Sequence, residues 1–405
     1  MNILYLGKFF PKEILQTVNE DSKGKIGLSN HNFEMSVLNG LCLQDDVCLR
    51  CITIPGVFSF PRSNKKLFTH SEFYRYRNTF ITSVGFCNLM GVKELWVLRK
   101  CVKQIKKEIE KFPAGTINVI INTPDIRLLS ALDCVRKSCR RRITQTVIIP
   151  DVPSMVTSMD KHNWLKRILL NDRDQKSMAM TSQSDGLVLL TEAMMDFISK
   201  PVKHLVMEGI VDIDTMRRTD IGPRSDKKVI LYTGTLRKIF GVMNLVEAFE
   251  MIEDKDVELW ICGSGDAKES IENAAKRDPR IVFKGFVDSA AALDMQYEAT
   301  ILINPRTSEG EYTKYSFPSK TMEYLLAGRS VITNRLPGIP EEYYDYVYTP
   351  QNESIKALAE CIMHVLHLNK NLREIRSKAG RQFILEQKNS KVQMERVIKM
   401  IASYS

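Results

Sequence analysis

Val229-Ile-Leu-Tyr-Thr-Gly-Thr-Leu-Arg-Lys-Ile-Phe-Gly241 reads as a buried strand, a tight glycine turn and the approach to a helix over Val242–Glu250. An unbroken apolar run ending in a glycine suits a strand covered on both faces. The same pattern recurs downstream at Val257–Cys262, Ile281–Phe283, Thr300–Ile303 and Ser330–Thr333, with helical periodicity between the runs. Upstream, Ile3–Gly7, Val47–Ile54, Ile117–Asn122, Gln145–Ile149, Gly186–Leu190 and His204–Met207 form an earlier series. Apolar stripes at helical spacing separate several of them, such as Phe33, Val37, Leu38 and Leu41, or Leu95, Leu98, Val102, Ile105 and Ile109. Alternating strands and helices predict a parallel sheet with helices on both faces. Two such series predict an α/β protein with two doubly wound domains. The polar stretch Asp212–Lys228, with Gly222-Pro223, reads as the linker. After about residue 352 only helical periodicity remains.

The composition fits that picture. The chain has 405 residues, 44% apolar and 26% charged, which is ordinary for a globular protein and excludes a disordered or fibrous one. Its net charge is +10. Residues 51–150 alone carry 18 basic and 6 acidic side chains (18 − 6 = +12), so one region should face something anionic. The opening Met1–Gly7 is too short for a signal-peptide core, and no window is apolar enough to span a bilayer. A cytoplasmic protein is expected. The nine cysteines are scattered, as in a reduced compartment. Cys48 and Cys51 sit three apart on a strand and point to opposite faces, so they cannot share a metal. His364 and His367 lack a nearby third ligand, and no metal site is expected.

Ligands of doubly wound sheets bind beyond the carboxyl ends of the strands, and several suggestive residues lie there. Gly234 and Thr235 make a turn followed by two cations, Arg237 and Lys238, a combination suited to a diphosphate. Cys262-Gly-Ser-Gly265 follows another strand, where glycines permit close approach of a flat or anionic ligand. Phe286 after Lys284-Gly285 is a candidate wall for a nucleotide base, although such a ring also serves as core. Tyr315-Ser-Phe-Pro-Ser-Lys-Thr-Met-Glu-Tyr-Leu-Leu-Ala-Gly328 reads as a helix with Pro318 in its first turn and Gly328 at its stop. Ser319 and Lys320 then stand at the positive end of the helix dipole, a ready phosphate site. Glu323, one turn on, can accept hydrogen bonds from two ribose hydroxyls.

Gly234-Thr-Leu with Gly241, Ile261-Cys-Gly-Ser-Gly265, Gly285-Phe-Val and Phe317-Pro-Ser-Lys-Thr-Met-Glu-Tyr-Leu-Leu-Ala-Gly-Arg-Ser-Val-Ile332 occur in this order. Together they resemble the nucleotide-sugar-binding domain of family 4 glycosyltransferases, the retaining GT-B enzymes. The Pro-Ser-Lys…Glu-Tyr form is similar to the branch that builds bacterial capsular, lipopolysaccharide and exopolysaccharide glycans. The resemblance covers roughly residues 185–350. The N-terminal half agrees in layout, with a strand, a loop containing Gly24 and Gly27, then a helix; Asp151-Val-Pro153 after a strand is also similar.

The resemblance implies two Rossmann-like domains facing across a cleft. Residues 1–210 would bind the acceptor, with Gly27 and Asp151 in the cleft. Residues 211–387 would bind the donor through Gly234, Thr235, Gly263, Ser264, Gly265, Phe286, Pro318, Ser319, Lys320, Thr321 and Glu323. A C-terminal helix, residues 388–405, would cross back to the first domain. The pattern departs at three places. Tyr315 stands where the motif has a glutamate eight residues before Glu323, and Glu309 and Glu311 lie just upstream. Thr235 and Phe240 stand where the first loop usually has Arg and Lys.

On this reading a sugar moves from a nucleoside diphosphate to a hydroxyl with retention and without a metal, and there is no cofactor beyond the nucleotide sugar. A UDP-sugar is expected ahead of a GDP- or dTDP-sugar. Lys320, Arg237 and Lys238 would stabilise the leaving diphosphate. The acceptor would be a glycan or a lipid-diphosphate-linked sugar. Lys93–Lys111, Phe73-Tyr-Arg-Tyr-Arg77 and Trp164–Leu170 would meet an anionic membrane surface at the inner face of the cytoplasmic membrane. The rival readings are a non-catalytic partner subunit, a sugar-nucleotide epimerase or hydrolase on the same fold, and a nucleic-acid binder through Arg140-Arg-Arg142. No nucleic-acid partner is expected, because no recognition motif accompanies those arginines.

Overall fold

The computed structural model describes residues 1–22, 28–68, 72–153, 164–212 and 228–404. They divide into two compact units, Met1–Asp212 with Ser390–Ser405, and Ile213–Asn389. Most of the linker read from sequence, and the loop with Gly24 and Gly27, lie outside the described residues.

In the first unit β1 (Asn2–Gly7), α1 (Lys12–Asp21), α2 (Leu28–Cys42) and β2 (Cys48–Thr53) are followed by β3 (Leu67–Phe68), β4 (Glu72–Tyr76), β5 (Thr79–Ser83) and β6 (Phe86–Cys87). Then come α3 (Lys93–Glu110), β7 (Ile117–Asn122), α4 (Ile126–Ser138), β8 (Ile143–Ile149), α5 (Trp164–Thr181), β9 (Gly186–Leu189) and β10 (His204–Val206). The main sheet has the order β10-β9-β8-β7-β1-β2-β5-β4, parallel except for the edge strand β4. Strands β7 and β8 are buried along their whole length; β7 is mostly apolar, while the buried Thr144, Gln145 and Thr146 of β8 hydrogen-bond to Asn118, Ser184 and Tyr404.

Sequence periodicity does not isolate β3 to β6. The stretch Phe73–Arg77, read as part of a surface patch, is mostly β4, paired to β5 through the two-residue turn Arg77-Asn78. Arg77 there has φ 49°. Alternating exposed and half-buried residues mark β4 as an edge. Cys48 is exposed and Cys51 buried on β2, on opposite faces as their spacing requires.

The helix Ser390–Ala402 belongs to the first unit. Its Met394, Val397 and Ile401 join Val37, Leu38 and Leu41 of α2 in the core. Gly40 leaves no space for a Cβ against the Ser390 backbone, so the two helices cross closely. Ser390 N–H donates to the Val211 carbonyl at 2.9 Å, and Tyr404 hydroxyl lies 2.9 Å from that of Thr146.

Two basic features of this unit are spent internally. Lys93, counted from sequence among the surface cations of α3, is 5% exposed, and its Nζ donates to the Val57 carbonyl at 2.6 Å. Burial lowers its pKa to about 8, and Arg127 adds to the effect. Arg141, central in the Arg140–Arg142 run, donates to the Ile109 and Phe112 carbonyls at 3.1 Å and to Gly115 at 2.8 Å. It closes the carboxyl end of α3, where free carbonyls need donors.

The second unit comprises β11 (Lys228–Thr233), α6 (Val242–Glu250), β12 (Val257–Cys262), α7 (Lys268–Arg277), β13 (Ile281–Gly285), α8 (Ser289–Glu298) and β14 (Ile301–Asn304). It continues with α9 (Ser319–Leu326), β15 (Ser330–Thr333), α10 (Ile355–His367) and α11 (Lys370–Gln387). All five strands are parallel in the order β13-β12-β11-β14-β15. Ile230, Leu259, Ile261, Ile301 and Ile303 form its centre, covered by Leu245 and Phe249 of α6 and Ile362 and Val365 of α10. The order reverses between β11 and β14, and a doubly wound sheet opens its ligand crevice at that point.

Candidate functional site

The loops at the carboxyl edge of the second sheet are laced together through their backbones. Gly234 N–H donates to the Cys262 carbonyl at 3.0 Å, Leu236 N–H to Ser264 at 2.9 Å, and Gly263 N–H to Gly285 at 2.8 Å. Gly263 has φ 145° and meets the Gly234 carbonyl where a Cβ would stand, so glycine is required there. Gly265 lies as close to the backbone of Leu236. The predicted glycines thus hold two loops against each other, and Ser264 is exposed beside them. Thr235 is exposed, and its carbonyl accepts the Tyr232 hydroxyl at 2.9 Å.

The predicted cations of the first loop differ in setting. The Arg237 guanidinium carbon lies 5.6 Å from the Phe240 ring centre. Lys238 is exposed, and its backbone N–H donates to Asp266 at 2.8 Å. Phe286 is 79% exposed after Gly285, a position available to a flat ligand and unlike a core ring. Gly285, at φ 70°, makes the turn that puts it there.

Pro318 is the residue before α9 and not within its first turn, with Ser319 opening the helix. The Pro318 carbonyl accepts Thr321 N–H at 2.9 Å. Ser319 is exposed at the helix amino end, and Lys320 Nζ donates to Glu323 Oε2 at 2.6 Å, both side chains about one-third exposed. Thr321 faces the other way. It is fully buried, and its hydroxyl accepts Asn304 Nδ2 at 3.3 Å, so it ties α9 to β14 and corrects its placement on the donor surface. Tyr324 anchors the same helix to β11: its hydroxyl accepts Thr233 N–H at 2.9 Å and donates to the Thr233 carbonyl at 3.1 Å. Tyr315 is buried at 7% exposure, while Glu309 and Glu311 are exposed and Glu311 pairs with Lys314 at 3.3 Å.

One residue at this edge is absent from the sequence reading. Arg306 follows β14 directly after Pro305, is 9% exposed, and lies with its guanidinium carbon 4.8 Å from the ring centres of both Phe240 and Tyr312. A cation just past a strand is visible in Ile303-Asn-Pro-Arg306, but only the strand order puts it at the reversal point.

In the first unit, Asp151 sits two residues beyond β8, exposed at its rim. Gly27 lies outside the described residues. The sheet reverses order between β1 and β7, and charged residues gather at that edge. Asp125 caps α4 by accepting Arg127 N–H at 3.0 Å and pairs with the Arg127 guanidinium at 2.9 and 2.6 Å. Lys8 lies 3.4 Å away. Burial alone would raise the Asp125 carboxyl, but Arg127 and Lys8 hold it far below the usual range. Glu34 is 1% exposed and accepts Lys8 N–H at 2.8 Å. Burial raises it from 4.5 to about 7, against a partial opposing pull from Lys8. Among the described residues, no group of His, Cys, Asp and Glu is arranged to hold a metal.

Comparison with known proteins bears on the second unit most directly. Residues 227–367 match the family described as Glycosyl transferases group 1. An uncharacterized glycosyltransferase of Methanocaldococcus jannaschii is 27% identical over 128 residues, 31% of this chain and 31% of that protein, so the match spans about a third of the relative's length. Among solved structures, sucrose-phosphate synthase from Thermosynechococcus elongatus superposes with a TM-score of 0.61 at 14% identity, covering all of both chains. The trehalose-6-phosphate synthase OtsA gives 0.63 at 11% identity, covering 100% of this chain and 99% of that one. Anabaena HepE, solved in complex with UDP, gives 0.59 at 13% identity over the whole of both chains. At such identities the structural likeness speaks for the fold. Residues 227–367 therefore match the group 1 glycosyl transferase family, within a chain that has the GT-B fold.

Proposed function

We propose that the protein is a glycosyltransferase that moves a sugar from a nucleoside diphosphate to a hydroxyl of a glycan or lipid-linked acceptor, with retention and without a metal. The observation that carries this reading is the amino end of α9, where Ser319, Lys320 and Glu323 share one short face beside the interlocked glycine loops. Helix N–H groups and a lysine suit phosphate oxygens, and a carboxylate one turn on suits vicinal hydroxyls. The UDP bound to HepE, and to TarM of S. aureus at 14% identity, supports uracil as the first base to try.

In this mechanism the bond from the anomeric carbon to the diphosphate breaks as the acceptor oxygen bonds to the same face. The acceptor's proton passes to the departing phosphate oxygen. The charge that needs stabilising develops on that oxygen, and Lys320 with the helix dipole meets it. Arg237 and Lys238 border the same edge, and the backbone around Gly263 to Gly265 with the exposed ring of Phe286 would hold the base.

The first unit would take the acceptor and an anionic membrane surface. Leu89, Met90, Val92, Leu95 and Trp96 are exposed where α3 begins, Met90 to 79%. Arg99, Lys103, Lys106, Lys107 and Lys111 are exposed along the helix. Lys100 lies 6.0 Å from the Trp96 ring, and Lys107 lies 5.5 Å from that of the edge-strand residue Phe73. Apolar tips bordered by cations suit a headgroup layer, each nearby cation adding about 1 kcal/mol. Among the described residues no helix is long and apolar enough to cross a membrane. A role in surface polysaccharide synthesis follows from such an acceptor. A thermal-shift panel of UDP-, GDP- and dTDP-sugars tests the donor reading: selective stabilisation supports it, and no shift with any of them overturns it.

A further inference from the structure

The first loop of the second unit has Thr235 and Phe240 at positions where the resemblance leads one to expect cations. Its remaining cations are poorly fixed: Lys238 is exposed, and Arg237 rests on the edge of the loop beside Phe240. Arg306 is held far more firmly. It is nine-tenths buried, with its guanidinium carbon 4.8 Å from the ring centres of Phe240 and Tyr312, which themselves lie 6.5 Å apart. Tyr312 is itself held, since its hydroxyl donates to the Ile239 carbonyl at 3.2 Å. Aromatic faces attract a guanidinium and orient its plane, but they satisfy none of its N–H donors.

Those donors are largely unspent. Nη1 lies 3.4 Å from Ser316 Oγ, and Nε is buried with no hydrogen-bond partner. No carboxylate among the described residues pairs with the group. A buried guanidinium left in this state is costly, so its retention calls for an anion from outside the chain. The surroundings suit one. Gly241, at φ 74°, begins α6 and lets the Pro305 carbonyl approach where a Cβ would otherwise stand. The nine-residue helix α6 therefore starts against the residue preceding Arg306. Its first N–H groups lack partners within the helix, and its dipole is positive at that end. The whole group lies at the β11/β14 reversal.

We infer that Arg306 is the fixed cation that receives the diphosphate of the donor, supplying charge that Thr235 and Phe240 do not. Phe240 thereby acquires a task of its own: in place of a lysine it orients the arginine. This assignment rests on the nucleotide-sugar reading and deepens it. It concerns a binding residue distinct from Lys320, placed just past β14, whereas Lys320 stands at the start of α9. A planar fork can take two phosphate oxygens at once, which a lysine at the same place cannot.

The test compares UDP with uridine by calorimetric titration of the full-length wild type, Arg306→Met and Arg306→Lys, with circular dichroism and melting curves as controls. The expected result is an Arg306→Met affinity for UDP lower by about 10- to 100-fold, with uridine binding unchanged. Arg306→Lys should recover part of the UDP affinity. A purely structural arginine would lower UDP and uridine binding together, along with the melting temperature, and that result overturns the assignment. So does an Arg306→Met protein that keeps the wild-type preference for UDP. Should Arg306→Met fail to fold, the decision passes to Arg306→Lys: a preference equal to the wild type's overturns the assignment, and a reduced one supports it. Wild-type protein that binds no nucleotide sugar in the panel above overturns the donor reading itself, and with it this assignment.

Discussion

Lys320 Nζ donates to Glu323 Oε2 at 2.6 Å, three residues along the same helix, so the two charged groups at the amino end of α9 hold one another in place. The pair is part-exposed, and such pairs contribute less than about 1 kcal/mol to stability. Lys320→Ala should therefore melt within a few degrees of the wild type while turnover falls by about 100- to 1,000-fold, the usual scale for losing one transition-state donor. Steady-state rates with the donor found by the panel check this. Near-normal turnover in Lys320→Ala would remove the lysine from the mechanism.

Glu323→Gln separates the second member of the pair. If the carboxylate accepts ribose hydroxyls equally in the ground and transition states, KM should rise several-fold with kcat nearly unchanged. A fall in kcat at constant KM would instead give Glu323 a part in the chemistry.

Gly263 carries the close approach of two loops at φ 145°. Gly263→Ala must shift the Gly234 carbonyl and strain its own backbone, for a loss of about 1–3 kcal/mol. Urea unfolding should show a lower midpoint, and donor binding should weaken with it. An unchanged midpoint would mean that the loops part without cost.

Glu34 gives a pH dependence of definite sign. Its carboxyl is raised from 4.5 to about 7 by burial, so the folded state favours the protonated form. Stability from this group is complete below about pH 4.5, declines as pH rises towards 7, and levels off above it, for a total of about 3 kcal/mol. Glu34→Gln, which keeps an acceptor for Lys8 N–H, should gain stability over the wild type at pH 8 and not at pH 4. Denaturant melts at the two pH values measure the difference. An equal effect at both would show that Glu34 ionises freely when folded.

Membrane contact through the first unit predicts that the protein floats with anionic vesicles at low salt, is released by high salt, and ignores neutral vesicles. Met90→Asp with Trp96→Ala should weaken flotation several-fold and leave nucleotide binding intact. Equal binding to neutral vesicles would count against the contact.

The alternation of apolar runs made both sheets legible, because strands buried on two faces are mostly apolar; Ile117–Asn122 and Val257–Cys262 begin and end where the sequence suggests. Strand β8 starts at Ile143, ahead of the run read from Gln145, because its polar Thr144, Gln145 and Thr146 are buried with hydrogen-bond partners. The short strands between residues 67 and 87 were hidden for the opposite reason. An edge strand such as Glu72–Tyr76 alternates polar and aromatic residues and reads equally well as a surface patch. At the candidate site, the glycines read as room for a ligand are needed for the approach of the chain's own backbone, Gly263 to the Gly234 carbonyl and Gly265 to Leu236. Helical spacing did not tell which side of α9 Thr321 faces, and only the packing of Asn304 against it did.

By itself the sequence determined the two α/β series, the glycines at strand ends and the placing of Ser319, Lys320 and Glu323 along one helix, because these depend on local periodicity and backbone sterics. The tertiary structure decided what distant residues do together. It took Lys93 and Arg141 out of the surface charge by giving them carbonyl partners. It added the helix Ser390–Ala402 to the core of the first unit. It also set Arg306 against Phe240 and Tyr312, rings 66 positions before it and 6 after (306 − 240 = 66; 312 − 306 = 6). Burial and pairing energies arise from neighbours in space, and a chain read in order does not say which neighbours those will be.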